Sequence, residues 1–185
     1  VHKDGLPRVE EKDGYKIIRV GKGLFNFDGY LNKTGKLIFA ISSAFYILKN
    51  RNFSILKFIG VGHISLPSIL ITKMLNRPIV NKFTAIDDDG PRKLKSTHIG
   101  RLIIWLLKSN TAHWVISKQL YEECISCTPW QKEDLFLIPN PVKIHYASYQ
   151  VLKNNKISEN KKKKFLFVGM LNKRKGVDIL IEIWE

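Results

Sequence analysis

The segment Phe165 to Ile181, FLFVGMLNKRKGVDILI, gathers the residue types that can hold a diphosphate. Gly169 ends an apolar run and allows backbone to approach a ligand closely, while Lys173, Arg174 and Lys175 supply cations. A helix starting near Val177 adds free N–H groups and the positive end of a helix dipole. His63, in the loop Gly60-Val61-Gly62-His63 after an apolar run, stands where a substrate contact would sit, although a lone loop histidine is more often an ordinary polar residue. Asp87, Asp88 and Asp89 could be read as a metal site or as paired carboxylates. Consecutive carboxylates point in different directions, however, so a solvated turn is the expectation and no metal is assigned. Cys124 and Cys127 form a C-x-x-C with no second Cys or His pair at ligand spacing and no thioredoxin-like strand ahead of it. They read as small helical residues at i and i+3, and such sparse cysteine fits a reducing compartment.

These residues need elements to place them. Tyr15 to Val20 alternates as a short strand after the turn signal Lys12-Asp13-Gly14, and a polar, glycine-rich connection runs on through Gly35. Lys36 to Lys49 sets Leu37, Ile38, Ile41, Phe45 and Leu48 at helical spacing, which predicts an amphipathic helix packed on a sheet. Ser54 to Gly60 is a β-rich run followed by a helix from Leu66 to Leu75, and Pro78 to Thr84 supplies the next strand. A helix over His98 to Lys108 turns Leu102, Ile103, Leu106 and Leu107 to the core. Ala112 to Ser117 is a strand, Lys118 to Cys127 a helix capped by Ser117, and Leu135 to Ile138 a strand closed by Pro139-Asn140-Pro141. Such alternation predicts a parallel sheet covered on both faces, with ligands bound beyond the carboxyl ends of its strands.

After Tyr149 the chain becomes polar and basic (KNNKISENKKKK), as an interdomain linker would be. The expected organisation is therefore an N-terminal domain over 1–149, a linker over 150–164, and over 165–185 the opening strand and helix of a second domain. A lone strand and helix cannot bury its own faces, so that second domain is expected to be truncated here. The formal net charge of +15 favours an anionic partner, whether nucleotide phosphates, acidic lipid or nucleic acid. Val1 to Asp13 is too polar for a signal peptide and no stretch offers ~20 consecutive apolar residues, so a cytoplasmic protein is expected. The run Lys161 to Lys164 reads as solvated linker, with contact to acidic lipid as the alternative.

The strand, Gly169-Met170-Leu171, and Lys175-Gly176 before an apolar helix resemble the family-4 glycosyltransferases of GT-B fold, whose second domain opens with a strand, Gly-Arg-Leu, a few variable residues and Lys-Gly. A second match lies upstream, where Trp114 to Ser117 (WVIS) and Leu135 to Val142 (LFLIPNPV) resemble that family's strand ending in Ser and its Ile-Pro-Asn-Gly-Val signature. The two matches fall in the expected order on either side of the linker. Pro141 replaces the usual Gly and Lys143 the frequent Asp; Met170 stands where the pattern has Arg.

The resemblance implies a Rossmann-like α/β domain lacking its first strand and the strand's glycine-rich loop, plus the opening unit of a second Rossmann-like domain. It implies a retaining glycosyltransferase, moving a sugar from a nucleotide-diphosphate sugar to a saccharide or lipid-linked acceptor in cell-surface polysaccharide or glycolipid synthesis. Gly169, Arg174 and Lys175 would bind the donor diphosphate, without a metal or other cofactor. Asn140 would be a cleft residue or a plain turn former, and Thr84 takes the place where many relatives carry a sugar-contacting His. No residue is assigned as catalytic, and a chain so bounded is expected to be inactive by itself. Lys36, Lys49 and Arg51 around Phe45 and Tyr46 would suit peripheral attachment to an anionic membrane at the inner face of the plasma membrane, core packing being the alternative for the aromatics. A basic nucleic-acid-binding module is the competing class. It lacks helix-turn-helix, zinc-finger or aromatic RNA-binding signatures. A non-catalytic remnant of a glycosyltransferase is the third reading.

Overall fold

The computed structural model describes residues 6–21, 32–85, 90–141 and 176–184. The chain divides into two compact units, Val1–Pro141 and Val142–Glu185. The expected linker, the acidic run Asp87 to Asp89 and the strand and basic loop over 165–175 lie outside the described residues.

The first unit opens with a hairpin of β1 (Val9–Lys12) and β2 (Tyr15–Ile18), paired antiparallel with Lys12 opposite Tyr15 and Val9 opposite Ile18. Asp13 and Gly14 make its turn at φ 53° and 78°, the left-handed pair that a two-residue Asp-Gly hairpin loop requires. Arg19 ties the hairpin base, meeting Glu10 at 2.6 Å and donating to the Pro7 carbonyl at 2.8 Å. The strand expected at Tyr15 to Val20 thus exists, but it pairs locally with Val9–Lys12 and forms a sheet of its own. Charged residues in β1 (Glu10, Glu11, Lys12) hide its strand pattern from the sequence.

α1 (Lys33–Lys49) begins at Asn32, whose side chain accepts from the Gly35 N–H at 2.7 Å. Its contacts reverse the expectation from its periodicity. Small residues Gly35, Ala40 and Ala44 are buried, and Ser43 shares a hydrogen bond of 3.0 Å with Ser68 of the following helix, α2 (Leu66–Met74). Of the stripe expected to pack on a sheet, Leu37, Ile41, Phe45 and Leu48 are exposed, Phe45 to 70%, and Ile38 is half-buried. Close approach to α2 needs small side chains, so the small face wins the contact and the large one is turned outward.

β3 (Leu56–Ile59), β4 (Ile79–Lys82), β5 (Thr111–Val115) and β6 (Leu135–Leu137) form one parallel sheet in that order. Between them run α2, then α3 (Pro91–Lys95) and α4 (His98–Leu106), then α5 (Lys118–Cys127). Right-handed crossovers between strands laid down in sequential order put every one of these helices on the same face. The burial pattern agrees: Ile79, Asn81, Thr111, His113 and Val115 are buried beneath them. On the opposite face Lys57, Ile59 and Phe136 are exposed and Val80, Lys82 and Trp114 only half-buried. Among the described residues the sheet is therefore covered on one face, where the alternation predicted two. The Lys57 and Lys82 ammonium groups each lie 4.2 Å from the centre of the Trp114 ring.

Two of the helix-to-strand returns use the same device. Asn76 (φ 51°) ends α2 and Asn110 (φ 49°) follows α4, each in the left-handed conformation that asparagine tolerates better than most residues. The core joins Ile69, Ile79, Phe83, Ile103, Leu107, Val115 and Leu120. α3, unforeseen in the sequence because it spans barely more than one turn, is pinned from a distance. The buried Glu123 carboxylate on α5 accepts from the Arg92 N–H at 2.8 Å, placing a negative charge at the start of α3.

In the second unit α6 (Val177–Trp184) starts where the sequence places a helix, with Gly176 at φ 68° just before it. The Gly176 carbonyl accepts from the Leu180 N–H at 2.9 Å, and Asp178 occupies the first turn. Among the described residues no helix is long and apolar enough to cross a membrane.

Candidate functional site at the carboxyl edge of the sheet

Four loops leave the carboxyl ends of the parallel strands, the place where such sheets bind ligands. The loop after β3 is the most built of them. Gly60 turns the chain at φ 71°, Val61 is buried beneath it, and the Gly62 N–H donates to Ser65 Oγ at 2.9 Å while the Ser65 N–H returns to the Gly62 carbonyl at 2.9 Å. This reciprocal pair closes a single 3₁₀ turn over His63–Ser65 that leads directly into α2. His63 is thereby held exposed, with Nε2 3.2 Å from Thr97 Oγ1. Thr97 itself caps α4 by accepting from the Gly100 N–H at 3.0 Å.

The loop borders a cleft of about 300 Å³ lined by Lys36, Gly62, His63, Ile64, Lys93 and Thr97, among others. Three separate elements meet there: the first turn of α1, the loop after β3 and the junction between α3 and α4. Among the described residues neither Lys36 nor Lys93 has an ion-pair partner and no carboxylate lines the cleft. Two ammonium groups, an imidazole and a hydroxyl can receive an anionic or polyhydroxylated ligand.

His63 thus reaches the cleft, as its place after a strand suggests. Thr84 follows β4 and Asn140 follows β6, both exposed on the same edge, but neither lines it. At about 4.8 Å per strand, Asn140 sits roughly 14 Å across the sheet from the β3 loop, a span for an extended ligand and too far for a shared small one. Lys93 and Thr97, absent from the sequence reading, are brought in by the α3–α4 junction; the basic run Arg92-Lys93 and the Thr-x-x-Gly helix start are their signals. Gly169, Arg174 and Lys175 lie outside the described residues. No group of His, Cys, Asp or Glu able to hold a metal ion occurs among the described residues.

Two titratable clusters lie away from the edge. Cys124 and Cys127 both sit on α5 as free thiols. Burial pushes the Cys124 thiol up to about 12, reinforced by Glu123 and Cys127, so it is a poor nucleophile and metal ligand. His113 is buried under the helices, its Nε2–H donating to the Leu107 carbonyl at 3.2 Å and its ring stacked on Trp130 with centres 3.7 Å apart. Burial pushes its pKa down to about 3; the Leu107 hydrogen bond opposes this, and the Lys73 charge adds to it. Asn81 lies opposite His113 in the register, fully buried, and among the described residues neither of its amide atoms has a partner; nor does His113 Nδ1. Lys73, itself lowered by partial burial, donates to Thr111 Oγ1 at 3.0 Å and to the Ser109 carbonyl.

Comparison of the chain with protein-family models, with curated proteins and with solved structures returns no match.

Proposed function

We propose that this chain is the acceptor-side part of a retaining GT-B glycosyltransferase that takes its sugar from a nucleotide-diphosphate donor. The observation that supports it best is the cleft carrying Lys36, His63 and Lys93 beyond the carboxyl end of β3, on a parallel α/β sheet whose downstream sequence supplies the Gly169…Lys175-Gly176 run. In the transfer the bond between the anomeric carbon and the diphosphate oxygen breaks and an acceptor hydroxyl bonds to that carbon on the same face. The nucleoside diphosphate leaves with the electron pair, and its departing oxygen takes up the proton of the acceptor hydroxyl. Lys175 and Arg174 would balance the charge that develops on it, standing in for a metal. His63, with Thr84 and Asn140 further along the edge, would meet the acceptor.

A lipid-linked acceptor accords with α1, which carries no acidic residue and exposes Leu37, Ile41, Phe45 and Leu48 between Lys33 and Lys49. Sedimentation with phosphatidylglycerol vesicles, lost on Phe45→Glu, is expected if this face meets an anionic membrane. The donor reading is tested by equilibrium binding of uridine, guanosine and adenosine diphosphate sugars to the whole chain. One of them is expected to bind, and Lys175→Ala to weaken it about tenfold or more, the worth of one charged hydrogen bond. Binding of none, or binding that ignores Lys175→Ala, sinks the proposal. Tight, salt-sensitive binding of duplex DNA instead would favour a nucleic-acid module, the reading that the +15 charge alone supports.

A further inference from the structure

Away from the carboxyl edge, a second cleft of about 440 Å³ opens between the N-terminal hairpin and α1. Ser42, Phe45, Tyr46 and Lys49 stand at i, i+3, i+4 and i+7, so one stripe of α1 forms its helical wall. Arg8, Arg19 and Gly21 stand across from it. Gly21 holds the two sides together: at φ 71° the chain leaves the hairpin so close to α1 that an added Cβ would lie 3.3 Å from the Phe39 Cα and 3.4 Å from Ser42 Oγ. Along α1, Lys49 is about 20 Å from Lys36 at the rise of a helix, so this cleft and the one beside His63 cannot share a small ligand.

One cation of the cleft is set in advance. The Arg19 side chain is only 16% exposed, with Nη2 on Glu10 and Nη1 on the Pro7 carbonyl, and further N–H donors of the same rigid fork stay open. Among the described residues the side chains of Arg8 and Lys49, Ser42 Oγ and the Tyr46 hydroxyl have no hydrogen-bond or ion-pair partner. Three cations thus stand beside one carboxylate, Glu10, which leaves two positive charges to be met. A phosphate monoester brings about −2 charges and three acceptor oxygens at neutral pH, matching both the charge and the spread of donors. A carboxylate or a phosphate diester brings a single charge and would leave one cation unmatched. We infer that this cleft binds a phosphate monoester, its terminal oxygens on Arg8, Arg19 and Lys49 and its carbon part toward Phe45 and Tyr46. A free sugar or polyol phosphate and a lipid ending in a phosphate monoester present this same group. The site is independent of the glycosyl-transfer reading.

Titration calorimetry of the whole chain with phenyl phosphate should show saturable binding, about tenfold weaker in Arg8→Gln and in Lys49→Gln and unchanged in Lys36→Ala. Arg8 and Lys49 are both exposed, so the far-ultraviolet spectrum of either variant should match that of the parent chain. Benzoate, with the same ring and one charge, should bind at least about tenfold more weakly. Phosphatidylcholine vesicles doped with phosphatidic acid separate the two sources of the group. Sedimentation with them that Arg8→Gln abolishes would name a lipid; no sedimentation, or sedimentation indifferent to Arg8→Gln, would name a free monoester. Three results would overturn the inference: no saturable binding of phenyl phosphate, benzoate bound as tightly, or binding that Arg8→Gln and Lys49→Gln leave intact, as when the anion goes to Lys36 and Lys93 instead.

Discussion

The helix-covered face of the sheet and the cleft at its carboxyl edge are built from neighbouring stretches of chain on opposite terms. Under the helices, position is set by volume: Ile79, Phe83, Val115 and Leu120 are sealed in, and even polar Asn81 is held without a partner for either amide atom among the described residues. At the edge, position is set by hydrogen bonds among loop residues, with Gly62, Ser65, His63 and Thr97 holding one another while their outer surfaces stay open. The first arrangement tolerates almost no added atom and some wrong chemistry; the second tolerates added atoms and depends on its chemistry. That contrast can be broken or sharpened by substitution.

The largest effect is expected at Gly100, near the start of α4, where a Cβ would lie 1.9 Å from the Leu94 carbonyl oxygen and 2.8 Å from its Cα. Gly100→Ala must push α3 and α4 apart, with an expected loss of about 3 kcal/mol or more in a urea titration. Little or no loss would show that the α3–α4 junction is loose. Next is the pH response of His113. Its folded pKa of about 3 lies below the ordinary 6.5, so below pH 6.5 the unfolded chain takes up a proton that the folded chain refuses. Stability from this group is therefore flat above pH 6.5 and falls by about 1.4 kcal/mol per pH unit as the pH drops toward 3. His113→Phe should flatten that part of the profile, and an unchanged slope would place the acid sensitivity elsewhere.

Asn81→Leu should be neutral or raise stability by about 1 kcal/mol, since it removes two buried unpaired atoms at similar volume. Thermal melts that show a clear loss instead would mean that Asn81 is satisfied through a bound water shared with His113. The smallest stability effects belong to the cleft. Gly62 has extended backbone and nothing within 4 Å of an added Cβ, so Gly62→Ala should shift stability by less than about 0.5 kcal/mol, as should Lys36→Ala and Lys93→Ala. Pyrophosphate binding measured by calorimetry should nonetheless fall about tenfold for either lysine variant. Lysine variants that unfold the protein, or leave anion binding untouched, would erase the distinction between the two regions.

Elements whose signal is local were legible in the sequence. β4 and β5 announced themselves by β-branched and aromatic runs, and α4 and α5 by apolar spacing, α5 with Ser117 ahead of it as a cap. What failed depended on partners distant in the chain. The stripe Leu37, Ile41, Phe45 and Leu48 has helical period and implies a covered face, yet periodicity carries no information about which face the neighbouring helix takes. Likewise the placing of α2 to α5 on one face of the sheet follows from strand order, which no one strand encodes. At the site, His63 was legible because loops after parallel strands are where ligands bind. Lys93 and Thr97 were not, since they reach the cleft only after α3 and α4 have packed 30 or so residues downstream.

The bond from Arg92 to Glu123 spans 31 positions, and it carries a schedule as well as a contact. As the chain emerges during synthesis, α3 appears well before the carboxylate that anchors its first turn, and a segment of five residues has little helical stability of its own. The stretch between β4 and β5 should therefore wait, unsettled, until α5 has been made, so that this middle portion of the unit locks last and from behind.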